Sequence, residues 1–244
     1  MKACFARLRL GAGLFCTAGL ITHSVWAAEI YKADNALPLN DPISWEGGAV
    51  PGAEDVAVFD ERVTTNRLNF VLTADAAWAG IVFTNGVSPT NLMIGTAFLA
   101  TNGTDAATLS LGTNGVRLAG SGLSLTLNLP LALGATQTWQ LDRRNVTFGG
   151  TVSGTADWIL CASSQVFWNV ASGYSGNLIV SNSVFNQRFY KAGRWAKSLT
   201  IKNSGNTRLE MAFTSTNLWS DLFADRTATV YAWSGVTSGG MLTF

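Results

Sequence analysis

From about Gly80 onward the chain alternates short apolar runs with turn residues. Gly80-Ile81-Val82-Phe83-Thr84 precedes Asn85-Gly86, Phe98-Leu99-Ala100 precedes Asn102-Gly103, and Ala107-Thr108-Leu109-Ser110-Leu111 precedes Asn114-Gly115. The run Leu123-Ser124-Leu125-Thr126-Leu127-Asn128-Leu129 has strict period two. Four leucines therefore share one face, with Ser124, Thr126 and Asn128 on the other. Pro130, which has no N–H to give to a ladder, ends it. The rhythm continues through Thr138–Leu141, Asn145–Phe148, Asp157–Leu160, Gln165–Trp168, Asn177–Val180 and Ser198–Ile201. Runs this short, bounded by Gly, Asn and Ser, predict strands. The best helical candidate is the short stretch Asn217–Phe223. The pattern predicts an all-β chain.

More than a dozen short runs follow each other, many of them eight to ten residues apart. Three such steps make a repeat of roughly 20–30 residues, the range of stacked-coil architectures. The expected fold is a right-handed parallel β-helix (a solenoid) with an N-terminal cap; a β-sandwich or jelly roll is the alternative. Low charge, 13% of the residues, fits inward aliphatics and outward Ser, Thr and Asn. The segment before Gly80 carries Asp34, Asp41, Glu46, Glu54, Asp55, Asp60, Glu61 and Asp75, as a terminal cap with a polar outer face would. The reading divides the chain into residues 1–27, a signal peptide; 28–79, the cap and first coil; and 80–244, the repeat region. Gly239–Phe244 ends inside a strand-like pattern, which reads as an array without a closing cap or as one piece of a longer chain.

Lys2, Arg7 and Arg9 form a basic start before the apolar stretch Leu10–Ile21. At 12 residues this stretch is too short to span a bilayer, which takes about 20. Val25-Trp26-Ala27 supplies a small-x-small site, so cleavage is expected between Ala27 and Ala28. Removal takes away the only histidine, His23, together with Cys4 and Cys16. The mature chain then has one cysteine, Cys161, and a formal charge of 13 − 15 = −2. No internal disulfide, imidazole-based triad or histidine-ligated zinc is open to it. No basic footprint for nucleic acid is present either. The lone thiol, in Trp158-Ile159-Leu160-Cys161, is expected to be a small buried hydrophobe.

Trp45-Glu46-Gly47-Gly48-Ala49-Val50-Pro51-Gly52-Ala53-Glu54-Asp55-Val56-Ala57-Val58-Phe59 resembles the W-x-x-G-G-x-x-P-G-x-x-D-x-A-x-F opening of secreted bacterial proteins with autotransporter-associated β-strand repeats. Trp168-Asn169-Val170-Ala171-Ser172-Gly173-Tyr174-Ser175-Gly176-Asn177-Leu178-Ile179-Val180 is similar to their Asn-x-Tyr-x-Gly-x-Leu/Thr-x-Val element. The likeness covers the opening and about half of the rest. It implies a passenger-like, surface-exposed or released β-helical stalk, usually without catalysis. By themselves the opening residues make a cap: Pro51-Gly52 is a turn pair, Asp55 can accept local N–H bonds, and Trp45 can cover the first coil.

Candidate chemistry reduces to carboxylates and basic residues. Asp55, Asp60 and Glu61 are the nearest acidic cluster, and Asp142-Arg143-Arg144 is a charged corner; both read as structural. Arg188, Tyr190, Lys191, Arg194 and Trp195 interleave basic and aromatic side chains and are the place to look first for a ligand, although the favoured reading is an exposed loop whose aromatics pack back onto the coil. The expectation is an exported, non-catalytic structural or adhesin-like protein, secreted or at the surface or outer membrane of a bacterium. No catalytic, metal or cofactor residues are expected, and no transmembrane helix in the mature chain. The sequence does not identify a partner; cell-envelope or extracellular polysaccharide is the candidate class. A carbohydrate-binding or carbohydrate-active β-helix is the alternative, with an outer-membrane barrel third.

Overall fold

The structure, a computed structural model, describes residues 27–63, 70–84, 91–96, 107–119, 124–141, 145–162, 165–168, 173–181, 185–189, 195–202, 207–211 and 228–231. In chain order the strands are β1 (Glu29–Tyr31), β2 (Val56–Phe59), β3 (Phe70–Leu72), β4 (Ala76–Phe83), β5 (Asn91–Thr96) and β6 (Leu109–Leu118). β7 (Ser124–Asn128), β8 (Leu131–Leu133), β9 (Gln137–Leu141), β10 (Val146–Phe148), β11 (Val152–Gly154) and β12 (Trp158–Ala162) follow. Then come β13 (Gln165–Trp168), β14 (Asn177–Ser181), β15 (Phe185–Phe189), β16 (Ser198–Lys202), β17 (Thr207–Met211) and β18 (Ala228–Tyr231). No α-helix occurs among the described residues; two 3-10 turns, Pro42–Ser44 and Glu46–Gly48, lie between β1 and β2.

One sheet runs β1-β2-β4-β6-β9-β12-β14-β16-β18, and a second runs β3-β5-β7-β10-β13-β15-β17. β8 and β11 form a short third row beside β6. Every strand pairing described is parallel; the single antiparallel contact is the isolated bridge between Lys32 and Trp45. A sandwich or jelly roll is built from antiparallel neighbours. This pairing is instead that of a parallel β-solenoid, each coil laid on the one before it.

The coil length is regular in the middle of the stack and longer on either side, with Leu199 to Ala228 spanning 29 residues. Gln137 pairs with Trp158, a step of 158 − 137 = 21 residues, and Trp158 pairs with Leu178, a step of 20. Asn177 to Ser198 is again 21, whereas Asn91 to Ser124 spans 33. In a settled coil the three rows are β7, β8 and β9, then β10, β11 and β12. Period-two alternation turns alternate side chains inward. Leu125, Leu127, Leu129, Leu131 and Leu133 are buried, while Ser124 and Thr126 are half-buried and Asn128 is exposed. Like then stacks on like: Trp139, Leu160, Val180 and Ile201 occupy one inward column.

The Asn114-Gly115 pair does not reverse the chain. It lies inside β6, where Gly115 takes φ +60°, and both halves of β6 stay parallel to β4. A coil needs bends at its corners, not hairpins, so the same dipeptide serves a different geometry. Asn85-Gly86, Asn102-Gly103 and the helical candidate Asn217–Phe223 lie outside the described residues.

At the start of the stack, residues 32–45 lie against the first coil. The Leu39 N–H donates to the Val71 carbonyl at 2.7 Å, and Asn40 Oδ1 accepts from the N–H groups of Thr73 and Ala74. These bonds occupy the outer edge of β3, which would otherwise be open. Trp45 is buried with its ring edge-on to Phe59 and Trp78, and its indole N–H donates to Leu39 O at 2.8 Å.

Polar side chains also stack. Asn177 Nδ2 donates to Asp157 Oδ1 at 2.8 Å, and Ser198 Oγ donates to Asn177 Oδ1 at 2.7 Å, one link per coil. Asn177→Ala removes both links and should cost about 1 kcal/mol per bond. Urea midpoints of the two proteins measure it.

Candidate functional site

Three places combine chemistry with definite geometry. The first is the loop at the start of the stack. Counting inward from Ile30, period two points Lys32 into the core, and its side chain is 0% exposed. Its Nζ donates to Ala33 O at 2.8 Å, Asn35 O at 3.0 Å and Asn35 Oδ1 at 2.9 Å, with the Phe70 ring 5.4 Å away. All three ammonium protons are therefore used. Desolvation drives its pKa down to about 8, partly opposed by the charge of Asp34. The loop is thus tied together by a buried cation, a role the sequence reading missed although the alternation from Ile30 signals it.

That burial has a measurable pH signature. Between about pH 8 and pH 10 the folded chain releases the Lys32 proton while the unfolded chain keeps it. The unfolded state then binds more protons, so stability rises with pH across this window, by about 1–3 kcal/mol. Above it, tyrosines of the unfolded chain ionise while burial holds Tyr174 above its ordinary range, which turns the trend downward. Urea midpoints at pH 7.5 and 9.5 check this, and Lys32→Met should flatten the slope.

The second place is a surface chain of charges at the first coil. Arg62 pairs with Asp60 at 3.2 Å and lies 4.1 Å over the Tyr31 ring, whose hydroxyl donates to Glu29 Oε2 at 2.7 Å. That bond to a carboxylate raises the Tyr31 pKa above its ordinary range. Asp55 stands apart from this chain: its Oδ2 accepts from the Gly52 N–H at 2.8 Å and closes the Pro51-Gly52 turn. Asp60 likewise accepts from the Arg62 N–H at 3.0 Å. Asp55 and Asp60 thus hold turns; no group of three or more His, Cys, Asp or Glu converges among the described residues.

The third is a shallow cleft of about 290 Å³ where the turn before β2 meets β4 and β6. Ala77, Ala79 and Gly112 leave it open, and Glu54, Ser110 and Thr113 supply its polar groups. It has the chemistry of a weak subsite for a neutral polar ligand, one carboxylate and two hydroxyls above an apolar floor.

Arg188 sits in β15, in register with Phe167 on one side and Glu210 on the other. Trp195 is 1% exposed and belongs to the core, so its ring is not presented at the surface. Its position follows from coil stacking, which the spacing of basic and aromatic residues does not encode. Tyr190, Lys191, Arg194 and the corner Asp142-Arg143-Arg144 lie outside the described residues. Cys161 is not buried as expected but half-exposed, on the outward column of β12 between Gln140 and Ser181. Leu160 takes the inward place beside it, and partial burial still raises the thiol pKa. At the expected cleavage site, Ala27 packs against the outward cluster of Val56 and Val58, and Ala28 O accepts from the Val56 N–H at 2.7 Å. No helix among the described residues is long and apolar enough to cross a membrane.

Compared with known proteins, the chain matches no family model, no curated protein and no solved structure.

Proposed function

We propose that this chain is an exported, non-catalytic β-solenoid that serves as a structural or adhesin-like element outside a bacterial cell, of the kind that carries autotransporter-associated repeats. The observation that carries the reading is what the polar groups at the start and along the corners do. Asp41 accepts from the Ile43 N–H, Asp55 and Asp60 close turns, Asp75 accepts from the Thr108 N–H, and Asp157 joins a ladder. Carboxylates used this way support a long, stiff, nearly neutral rod whose work is spacing and display. Its exterior of Ser, Thr, Asn and Gln is suited to contact with uncharged surface polymers.

Two measurements test this. Residues 1–27 fused to a reporter that is active only after export should yield activity, and mass spectrometry of the secreted chain should find Ala28 first. A reporter retained inside the cell overturns the export reading. A glycan array probed with the exported chain decides between spacer and binder. Selective binding that Glu54→Gln abolishes would move the function to the cleft beside β4, in favour of the carbohydrate-binding alternative.

A further inference from the structure

The first coil is closed on one side only. Among the described residues β1 ends the longer sheet, with β2 as its neighbour. In a parallel ladder alternate residues bond to the same neighbour. Ala28 O accepts from the Val56 N–H at 2.7 Å and the Lys32 N–H donates to Val58 O at 2.8 Å, so Ala28, Ile30 and Lys32 bond to β2. The backbone N–H and C=O groups of Glu29, Tyr31 and Ala33 therefore point to the opposite edge. The loop at the start of the stack takes up one of these three residues. Ala33 N–H donates to Ser44 O at 2.9 Å, beside the antiparallel bridge between Lys32 and Trp45. The same loop covers the edge of β3, yet among the described residues no backbone bond from it reaches Glu29 or Tyr31.

The core is incomplete at the same place. Ile30 lies in one inward column with Ala57, Ile81 and Val116, which are at most 1% exposed, whereas Ile30 itself is only half-buried. Those three have a rung on either side, and Ile30 has one on a single side. Charge around this edge is of one sign. Residues 27–63 hold eight acidic and two basic side chains, 2 − 8 = −6. Both bases are committed, Lys32 to three acceptors of its loop and Arg62 to Asp60 and the Tyr31 ring. Glu29, Asp34 and Glu46 are exposed.

From this we infer that β1 receives an extended, basic segment of a partner protein as an added antiparallel strand. The direction is that of the bridge the loop already makes on this edge. Residues opposite each other in an antiparallel pair share a face. The segment's inward residue thus meets Ile30, and its outward residues meet Glu29 and Tyr31. It alternates accordingly, an aliphatic side chain completing the inward column between Lys or Arg side chains on the acidic outer face. The N–H and C=O groups of Glu29 and Tyr31 supply the main-chain bonds, and charge selects the partner. A second copy of this chain is disfavoured as the occupant, because acidic edge would meet acidic edge. The inference concerns the first coil alone and is independent of export.

Fluorescence anisotropy with labelled heptapeptides tests it. Lys-Val-Lys-Val-Lys-Val-Lys should bind the purified chain with a Kd on the order of 100 μM at ~50 mM salt, weakened at least fivefold at ~500 mM. In the antiparallel register the lysine N–H groups face β1 and the valine N–H groups face solvent. N-methylation of the internal lysines should therefore abolish binding at unchanged charge, while N-methylation of the valines should leave it within about twofold. Glu-Val-Glu-Val-Glu-Val-Glu should not bind. Amide exchange at Glu29 and Tyr31 should slow at least roughly tenfold at saturation. Tyr31→Pro removes an N–H from the open edge, a place where proline is tolerated, and should abolish binding with an unchanged far-UV circular dichroism spectrum. Equal binding of the two methylated peptides reduces the contact to charge alone and overturns the inference. So does equal binding of the glutamate peptide, protection that appears only away from β1, or no binding of the lysine peptide up to about 2 mM.

Discussion

Trp139→Ala should destabilise the fold by about 3–5 kcal/mol, the range for removing a buried indole. Trp139 is 0% exposed, and its ring lies 5.6 Å from Phe148 and 4.9 Å from Trp158, edge-on to the latter. Its N–H donates to Gln137 Oε1 at 2.8 Å, while Gln137 Nε2 donates to the carbonyls of Leu111 and Ala135. Truncation therefore opens a cavity between two coils and leaves a buried amide oxygen without its donor, two costs that add. Trp139→Phe keeps most of the volume and loses the donor, so the difference between the variants separates packing from hydrogen bonding. Chemical denaturation with a coil-by-coil hydrogen-exchange readout measures both, and protection should fall first in β9 and β12.

Gly150→Ala should cost about 3 kcal/mol, although it adds one methyl at a half-buried position. A Cβ there would sit 2.0 Å from Leu129 O and 2.8 Å from Pro130 N, both backbone atoms of the preceding coil. Relief requires two coils to move apart, so neighbouring rungs share the strain. A Cβ on Gly134 meets only Leu111 O, at 3.5 Å. Gly134→Ala should accordingly lie within about 0.5 kcal/mol of the parent and is the control. Equal effects at the two sites would mean that corner packing does not limit stability.

Much of the fold was legible because a solenoid writes its inward column directly into the chain. Leu125, Leu127 and Leu129 announce their strand by alternation alone, and Asp55 behind Pro51-Gly52 announces its turn. β8 and β11 were not legible: at three residues each they carry too little periodicity, and neighbours one coil away define them. Trp195 illustrates the opposite limit. Lying among Arg194, Lys197 and Tyr190, it can be read either as a ligand platform or as an aromatic folded back onto the coil, and its burial decides for the second. Lys32 misleads by residue type, since a lysine enters a core only where its loop supplies acceptors, and those come from Ala33 and Asn35. The cleft beside β4 had no signature of its own, because Glu54, Ser110 and Thr113 meet only across coils.

The ladder hydrogen bonds point along the axis of the stack, with one coil of about 21 residues between successive rungs in its middle part. Tension applied between the two ends therefore loads rungs in series, as in a zipper, and the weakest terminal rung yields before the rest. Each coil that peels away lengthens the chain by roughly 70 Å while shortening the folded stack by about 5 Å. A rod of this build gives under load coil by coil, in near-equal increments through its middle coils, and rewinds onto the coil that remains, which serves as the template for its own repair.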